Sequence, residues 1–154
     1  MAEIRFYHLQ KAQLEDVLTV ILERAYQRGN RILVLTDTEE RAENLSHHLW
    51  IYSPDSFLPH GTKKDGDSSM QPIYLTSEPV NSNRSDILIL TEGVDYPNSL
   101  DFKLICNIFD GNDERILNIA RAKWKLLKEA GHTLVYYQQS ASGKWEEQAR
   151  AGES

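Results

Sequence analysis

Two four-residue runs, Ile32-Leu33-Val34-Leu35 and Ile87-Leu88-Ile89-Leu90, contain no polar residue. A strand with one wet face alternates apolar and polar side chains, so an unbroken apolar run marks a strand covered on both faces. Such strands belong to parallel sheets, and a parallel sheet needs crossover helices to connect its strands. The chain supplies them. Leu14, Val17, Leu18, Ile21, Leu22 and Ala25 share one face of a helix over about 14–27, which Gly29-Asn30 ends. Asp37, with Glu40 three residues on, opens a second helix that reaches about Trp50. Gly111-Asn112-Asp113 opens a third over about 113–130, closed by Gly131. Further strands fall at Ile4–Leu9, Ile73–Thr76, Leu104–Phe109 and Thr133–Tyr137. The expectation is one three-layer α/β domain over residues 1–140, with a mostly parallel central sheet flanked by helices. Residues 51–70, with two prolines and two glycines, read as a loop, and the polar segment 141–154 reads as a flexible tail. Local pattern leaves the strand order open.

Charge restricts the partners. Asp and Glu total 23 against 17 Lys and Arg, a formal net charge of −6. A surface made to coat nucleic-acid phosphates is usually strongly basic. Cys106 is the single cysteine and lies in an apolar run, so it is expected to be buried and inert. No apolar run approaches the roughly 18 residues of a membrane helix. Met1–Phe6 reads as a strand and not as a signal peptide, and the expected compartment is the cytoplasm.

An α/β pattern invites a nucleotide or catalytic reading, and the residues do not supply one. The segment after the first strand, His8-Leu9-Gln10-Lys11-Ala12-Gln13, lacks the glycines that let backbone amides approach a pyrophosphate. Adjacent His47 and His48 point about 100° apart on a helix, poor geometry for a shared metal. Asp37, Asp110, Asp113 and Glu114 stand where helix caps are needed. No catalytic constellation emerges, and no metal or cofactor is expected.

Two features remain. Trp50, followed by Ser56-Phe57-Leu58-Pro59-His60, places large apolar groups where a polar loop is expected. Composition leaves open whether they form a protein interface or a loop that plugs the core with Phe57. The second feature is the third helix. On a wheel, Ile116, Leu117, Ile119, Ala120, Trp124, Leu126, Leu127 and Ala130 fill a broad arc facing the sheet. Arg121, Lys125 and Lys128 lie just outside it, and Trp124 stands at the border. Lys123 falls within the arc, where its stem can snorkel. A shallow pocket walled by Trp124 and rimmed by cations suits an acidic peptide ending in an apolar side chain and a carboxylate. An ordinary amphipathic helix with a solvated basic face has the same spacing.

Over about residues 3–139 the chain resembles the chi subunit family of bacterial DNA polymerase III. The resemblance rests on the Trp50-x6-Phe57-x-Pro59-His60 spacing, on Asp86-Ile87-Leu88-Ile89 and on Ala120-Arg121-Ala122-Lys123-Trp124-Lys125 followed by Ala130-Gly131. It implies a Rossmann-like, non-enzymatic adaptor without cofactor. The partner it implies is the C-terminal tail of single-stranded-DNA-binding protein, an acidic peptide ending in Pro-Phe. Arg121, Trp124 and Lys125 would hold that tail, with Lys128 adding long-range attraction. A second surface, at Trp50 and Phe57 with Leu58, Pro59 and His60 around them, would meet the psi subunit and so the clamp loader. DNA is then contacted only indirectly. Two other classes are direct single-stranded-DNA binding, with Trp124 as a stacking platform, and a nucleotide-dependent enzyme. Arg121, Lys123, Lys125 and Lys128 neutralise few phosphates, which disfavours the former.

Overall fold

The computed structural model describes residues 3–51, 58–96, 101–140 and 142–152. Strand β1 spans Glu3–Leu9, helix α1 Leu14–Gln27, β2 Ile32–Leu35 and α2 Glu39–Ile51. They are followed by β3 (Gly61–Thr62), β4 (Ile73–Thr76), β5 (Ile87–Thr91), β6 (Leu104–Asp110), α3 (Glu114–Glu129), β7 (Thr133–Gln139) and β8 (Trp145–Ala151). Among the described residues the strands form one sheet in the order β3-β4-β2-β5-β6-β1-β7-β8. Every pairing from β3 through β7 is parallel, and only β7 with β8 is antiparallel. This is the mostly parallel α/β domain that the apolar runs implied, with the Rossmann-like build that the resemblance implied.

The unbroken runs sit at the centre of the sheet, and their residues alternate between two cores. Ile32 and Val34 face one core with Leu14, Leu18 and Leu22 of α1 and Ala42, Leu45 and Leu49 of α2. Leu33 and Leu35 face the other, with Ile116 and Ala120 of α3. All four β2 side chains are buried, as a strand covered on both faces requires.

Three local expectations need correction. Helix α2 is capped by Thr38 and not by Asp37: the Thr38 hydroxyl accepts from Arg41 N at 3.0 Å. The segment expected to be a loop carries β3, paired with β4, and two short 3-10 turns at Lys63–Asp65 and Ser68–Met70. The segment expected to fray carries β8. Its Trp-Glu-Glu-Gln-Ala-Arg-Ala sequence has no clean period-two pattern, but the outer edge of β7 offers it backbone hydrogen bonds, with a bulge at Tyr136/Tyr137. Trp145 packs edge-on against Tyr7 at 5.5 Å, and Ala151 is buried. Polar strands of this kind are stabilised by the neighbour they find and not by their own pattern.

Candidate functional site: an aromatic pocket beside the third helix

Helix α3 begins at Asp113, whose carboxylate accepts from Arg115 N at 3.0 Å and Ile116 N at 3.2 Å. That cap fixes where the helix starts and hence which face meets the sheet. Ile116 and Ala120 are buried, while Leu117, Trp124 and Leu127 are partly buried against the same core. Leu126 is 68% exposed and Ile119 also faces solvent. Ala130 is exposed too, so the buried arc is narrower than the wheel suggested and turned toward Leu117 and Trp124. Lys123 then falls at the border of the arc. Its side chain is only 20% exposed, and its ammonium reaches Asp95 at 3.3 Å.

Trp124 makes edge contacts with Phe6 at 5.4 Å and Tyr136 at 5.7 Å. Phe6 in turn stacks on Tyr136 at 6.1 Å and meets Phe109 edge-on at 6.5 Å. These rings lock the Trp124 indole through the fully buried Phe6, so its exposed face is a fixed wall. Beside it opens a cavity of about 580 Å³ lined by Leu117, Arg121 and Trp124 of α3, His8 and Gln10 at the end of β1, Gly111, Tyr136 and Gln138 of β7, and Gln148 and Ala149 of β8. Arg121 is exposed at the rim, and among the described residues no carboxylate pairs with it. Lys125 and Lys128 are exposed on the same helix but do not line the cavity.

Sequence reasoning missed His8, Tyr136, Gln138, Gln148 and Ala149. They come from three other elements, β1 at the far end of the chain, β7 just after α3, and β8, whose polar sequence carries no strand pattern of its own. His8 Nδ1 lies 2.7 Å from the Tyr136 hydroxyl. Burial holds the His8 pKa below its ordinary value; the Arg121 charge adds to this and Asp110 opposes it. Burial likewise raises the Tyr136 pKa, against the pull of Arg121.

The other predicted surface divides. Trp50 is half exposed at the end of α2, beside the exposed Ile51. Its ring lies 4.3 Å from that of His60. His60 itself is buried, with Nδ1 2.7 Å from Leu58 O and Nε2 3.1 Å from Ser46 O. Leu58 is buried in the α1/α2 core and Pro59 is partly covered. Leu58 and His60 are thus supports beneath the surface, and Trp50 is the outward group. Phe57, with the rest of 52–57, lies outside the described residues.

A second cavity, of about 450 Å³, opens at the carboxyl ends of β1 and β6 on the opposite face of the sheet. Open α/β sheets commonly bind nucleotides at such strand ends. Here the wall carries Arg41, and Glu92 and Glu15 hold its guanidinium at 2.7 and 3.2 Å. A cation already held by two carboxylates is poorly placed to receive a phosphate. Among the described residues no group of three or more His, Cys, Asp or Glu is placed to hold a metal ion, and no helix is long and apolar enough to cross a membrane. Burial pushes the Cys106 thiol up to about 12, which keeps it protonated at neutral pH.

Fold and site together define a single α/β domain of Rossmann-like build with an open aromatic pocket at its third helix. The family model for the DNA polymerase III chi subunit, HolC, matches residues 1–135, and the chain belongs to that family of replication accessory subunits. It is 29% identical over 109 residues to the "Probable DNA polymerase III subunit chi" of Rickettsia prowazekii (strain Madrid E), covering 71% of this chain and 66% of that protein. It is 24% identical over 122 residues to the DNA polymerase III subunit chi of Haemophilus influenzae (strain ATCC 51907 / DSM 11121 / KW20 / Rd), covering 79% of this chain and 84% of that protein.

Proposed function

We propose that this chain is a non-catalytic adaptor of the cytoplasmic replication machinery, docking the acidic, Pro-Phe-terminated tail of single-stranded-DNA-binding protein in the α3 pocket. The observation that carries the reading is the pairing of a fixed Trp124 wall with an Arg121 guanidinium that has no carboxylate partner among the described residues. A terminal phenyl ring fits against Trp124 and its carboxylate meets Arg121, a match of apolar and charge-assisted contacts. Lys125 and Lys128, outside the cavity, attract the acidic residues that precede the Phe. The second docking surface, for the psi subunit and through it the clamp loader, is Trp50 with Ile51, supported from below by His60 and Leu58. The Arg41 cavity, with its charge already neutralised, does not favour a nucleotide-dependent enzyme.

Calorimetric titration with an acidic peptide ending in Pro-Phe tests the pocket. Saturable binding that weakens with added salt is expected, because the rim charges are exposed and screened. Arg121→Ala is expected to weaken it by about 1–3 kcal/mol, the scale of a lost charge-assisted hydrogen bond. No binding, or equal affinity in the variant, refutes the assignment.

A further inference from the structure

We propose that His8 and Tyr136 form a proton-linked hydrogen-bond donor on the floor of the α3 pocket, so that a peptide carboxylate is bound together with one proton. This inference rests on the peptide-docking reading and adds a recognition group and a regulation to it. His8 is 7% exposed, and its ring packs against Gly111 so closely that a Cβ there would come within 1.8 Å of Nε2. The Phe109 ring lies 5.3 Å from it on another side. The imidazole is therefore held with Nδ1 toward the Tyr136 hydroxyl, 2.7 Å away.

The proton count of this pair decides what Tyr136 offers the pocket. A neutral His8 carrying its proton on Nε2 accepts the Tyr136 O–H at Nδ1. The phenol then presents only lone pairs to the cavity, and a carboxylate meets acceptor against acceptor. When His8 takes a proton from solvent at Nδ1, it donates to the Tyr136 oxygen. The phenol hydrogen is released and turns to the carboxylate. The only bond formed is the N–H at His8 Nδ1, its proton coming from hydronium or buffer acid in the solvent, and at most one proton is taken up for each peptide bound.

The charged and titratable groups around His8 set the sign. Arg121 approaches from α3, Asp110 from the end of β6 and Tyr136 from β7. In the free protein, burial and Arg121 keep the His8 pKa below its usual value, despite Asp110. An incoming carboxylate offsets the Arg121 charge and adds a negative one, so the His8 pKa rises on binding. Protons are taken up between the two pKa values, and affinity increases as pH falls through that window, by at most about tenfold per pH unit for one proton. Below the free-protein pKa the gain levels off. Protonation of the peptide's own carboxylates works in the opposite direction and begins lower, near pH 4 by order of magnitude.

Calorimetry of the full chain with the acidic Pro-Phe peptide, between about pH 5.5 and 8 in two buffers of different ionisation enthalpy, measures both affinity and proton uptake. Wild type is expected to bind severalfold more tightly at the acid end and to take up a rising fraction of one proton. His8→Gln is expected to bind with flat pH dependence and no uptake, and Tyr136→Phe to lose most of the acid-side gain. Arg121→Ala is expected to bind more weakly yet still take up a proton. Should His8→Gln not fold, the His8 ring signals followed by NMR in wild type report the same upward pKa shift on adding peptide. Tight, Arg121-dependent binding without proton uptake, or an unmoved His8 pKa, overturns this proposal and leaves the docking reading standing. Absence of peptide binding at every pH overturns both.

Discussion

The two cavities near the carboxyl ends of the strands share Gln10 on their walls and lie on opposite faces of the sheet. Each has one arginine. Arg41 is held by Glu92 and Glu15, while Arg121 has no carboxylate partner among the described residues. The walls differ as well: the Arg41 cavity is framed by helix starts and carboxylates, whereas the Arg121 cavity is lined by the rings of Trp124 and Tyr136, which the buried Phe6 supports from the core. The same residue type serves stability in one place and remains available for an anion in the other. A guanidinium becomes a recognition group only where the fold leaves its charge uncompensated.

The largest effect is expected in the aromatic core beneath the Arg121 cavity. Phe6→Ala removes a fully buried ring that touches Phe109, Tyr136 and Trp124. It is expected to cost about 3–5 kcal/mol of stability in chemical denaturation. Peptide binding by whatever remains folded is expected to fall too, because the Trp124 wall loses its support. A loss under about 1 kcal/mol by the same measurement would show that Phe6 is not the support of the Trp124 and Tyr136 rings.

The arginines then separate. Arg41→Ala is expected to lower stability by about 1 kcal/mol, since its two ion pairs are partly exposed. It is expected to leave peptide affinity unchanged. Arg121→Ala is expected to reverse the pattern, with stability within about 0.5 kcal/mol of wild type and affinity reduced. Denaturation and calorimetry on both variants decide it, and parallel behaviour in the two removes the distinction. The smallest effect belongs to Lys128→Ala: about 0.3 kcal/mol in affinity at low salt, vanishing as salt is added. A loss as large as that of Arg121→Ala would place Lys128 in direct contact with the peptide.

How much of this was legible beforehand varies by residue. The caps of α3, the apolar face of α1 and the central strands were all readable, because each depends on neighbours within a few positions. Arg121 and Trp124 were readable as a pair at helical spacing. Their partners His8 and Tyr136 were not, being 128 positions apart. The β8 wall is not legible in the sequence, because Trp145–Ala151 has no strand periodicity of its own and is held by the β7 edge. It also lies beyond residues 1–135, which the family model matches. Lys123 looked anomalous on the wheel until Asp95 appeared opposite it.

The sequence by itself determined the fold class, since continuous apolar runs can be covered only by layers on both sides, and it determined that α3 would carry its cations beside an indole. The strand order, the pairing of β8, the neutralisation of Arg41 and the open charge of Arg121 were decided by the tertiary structure. Their physical reason is common: each depends on which distant groups come within a few ångströms, and local spacing holds no information about that distance.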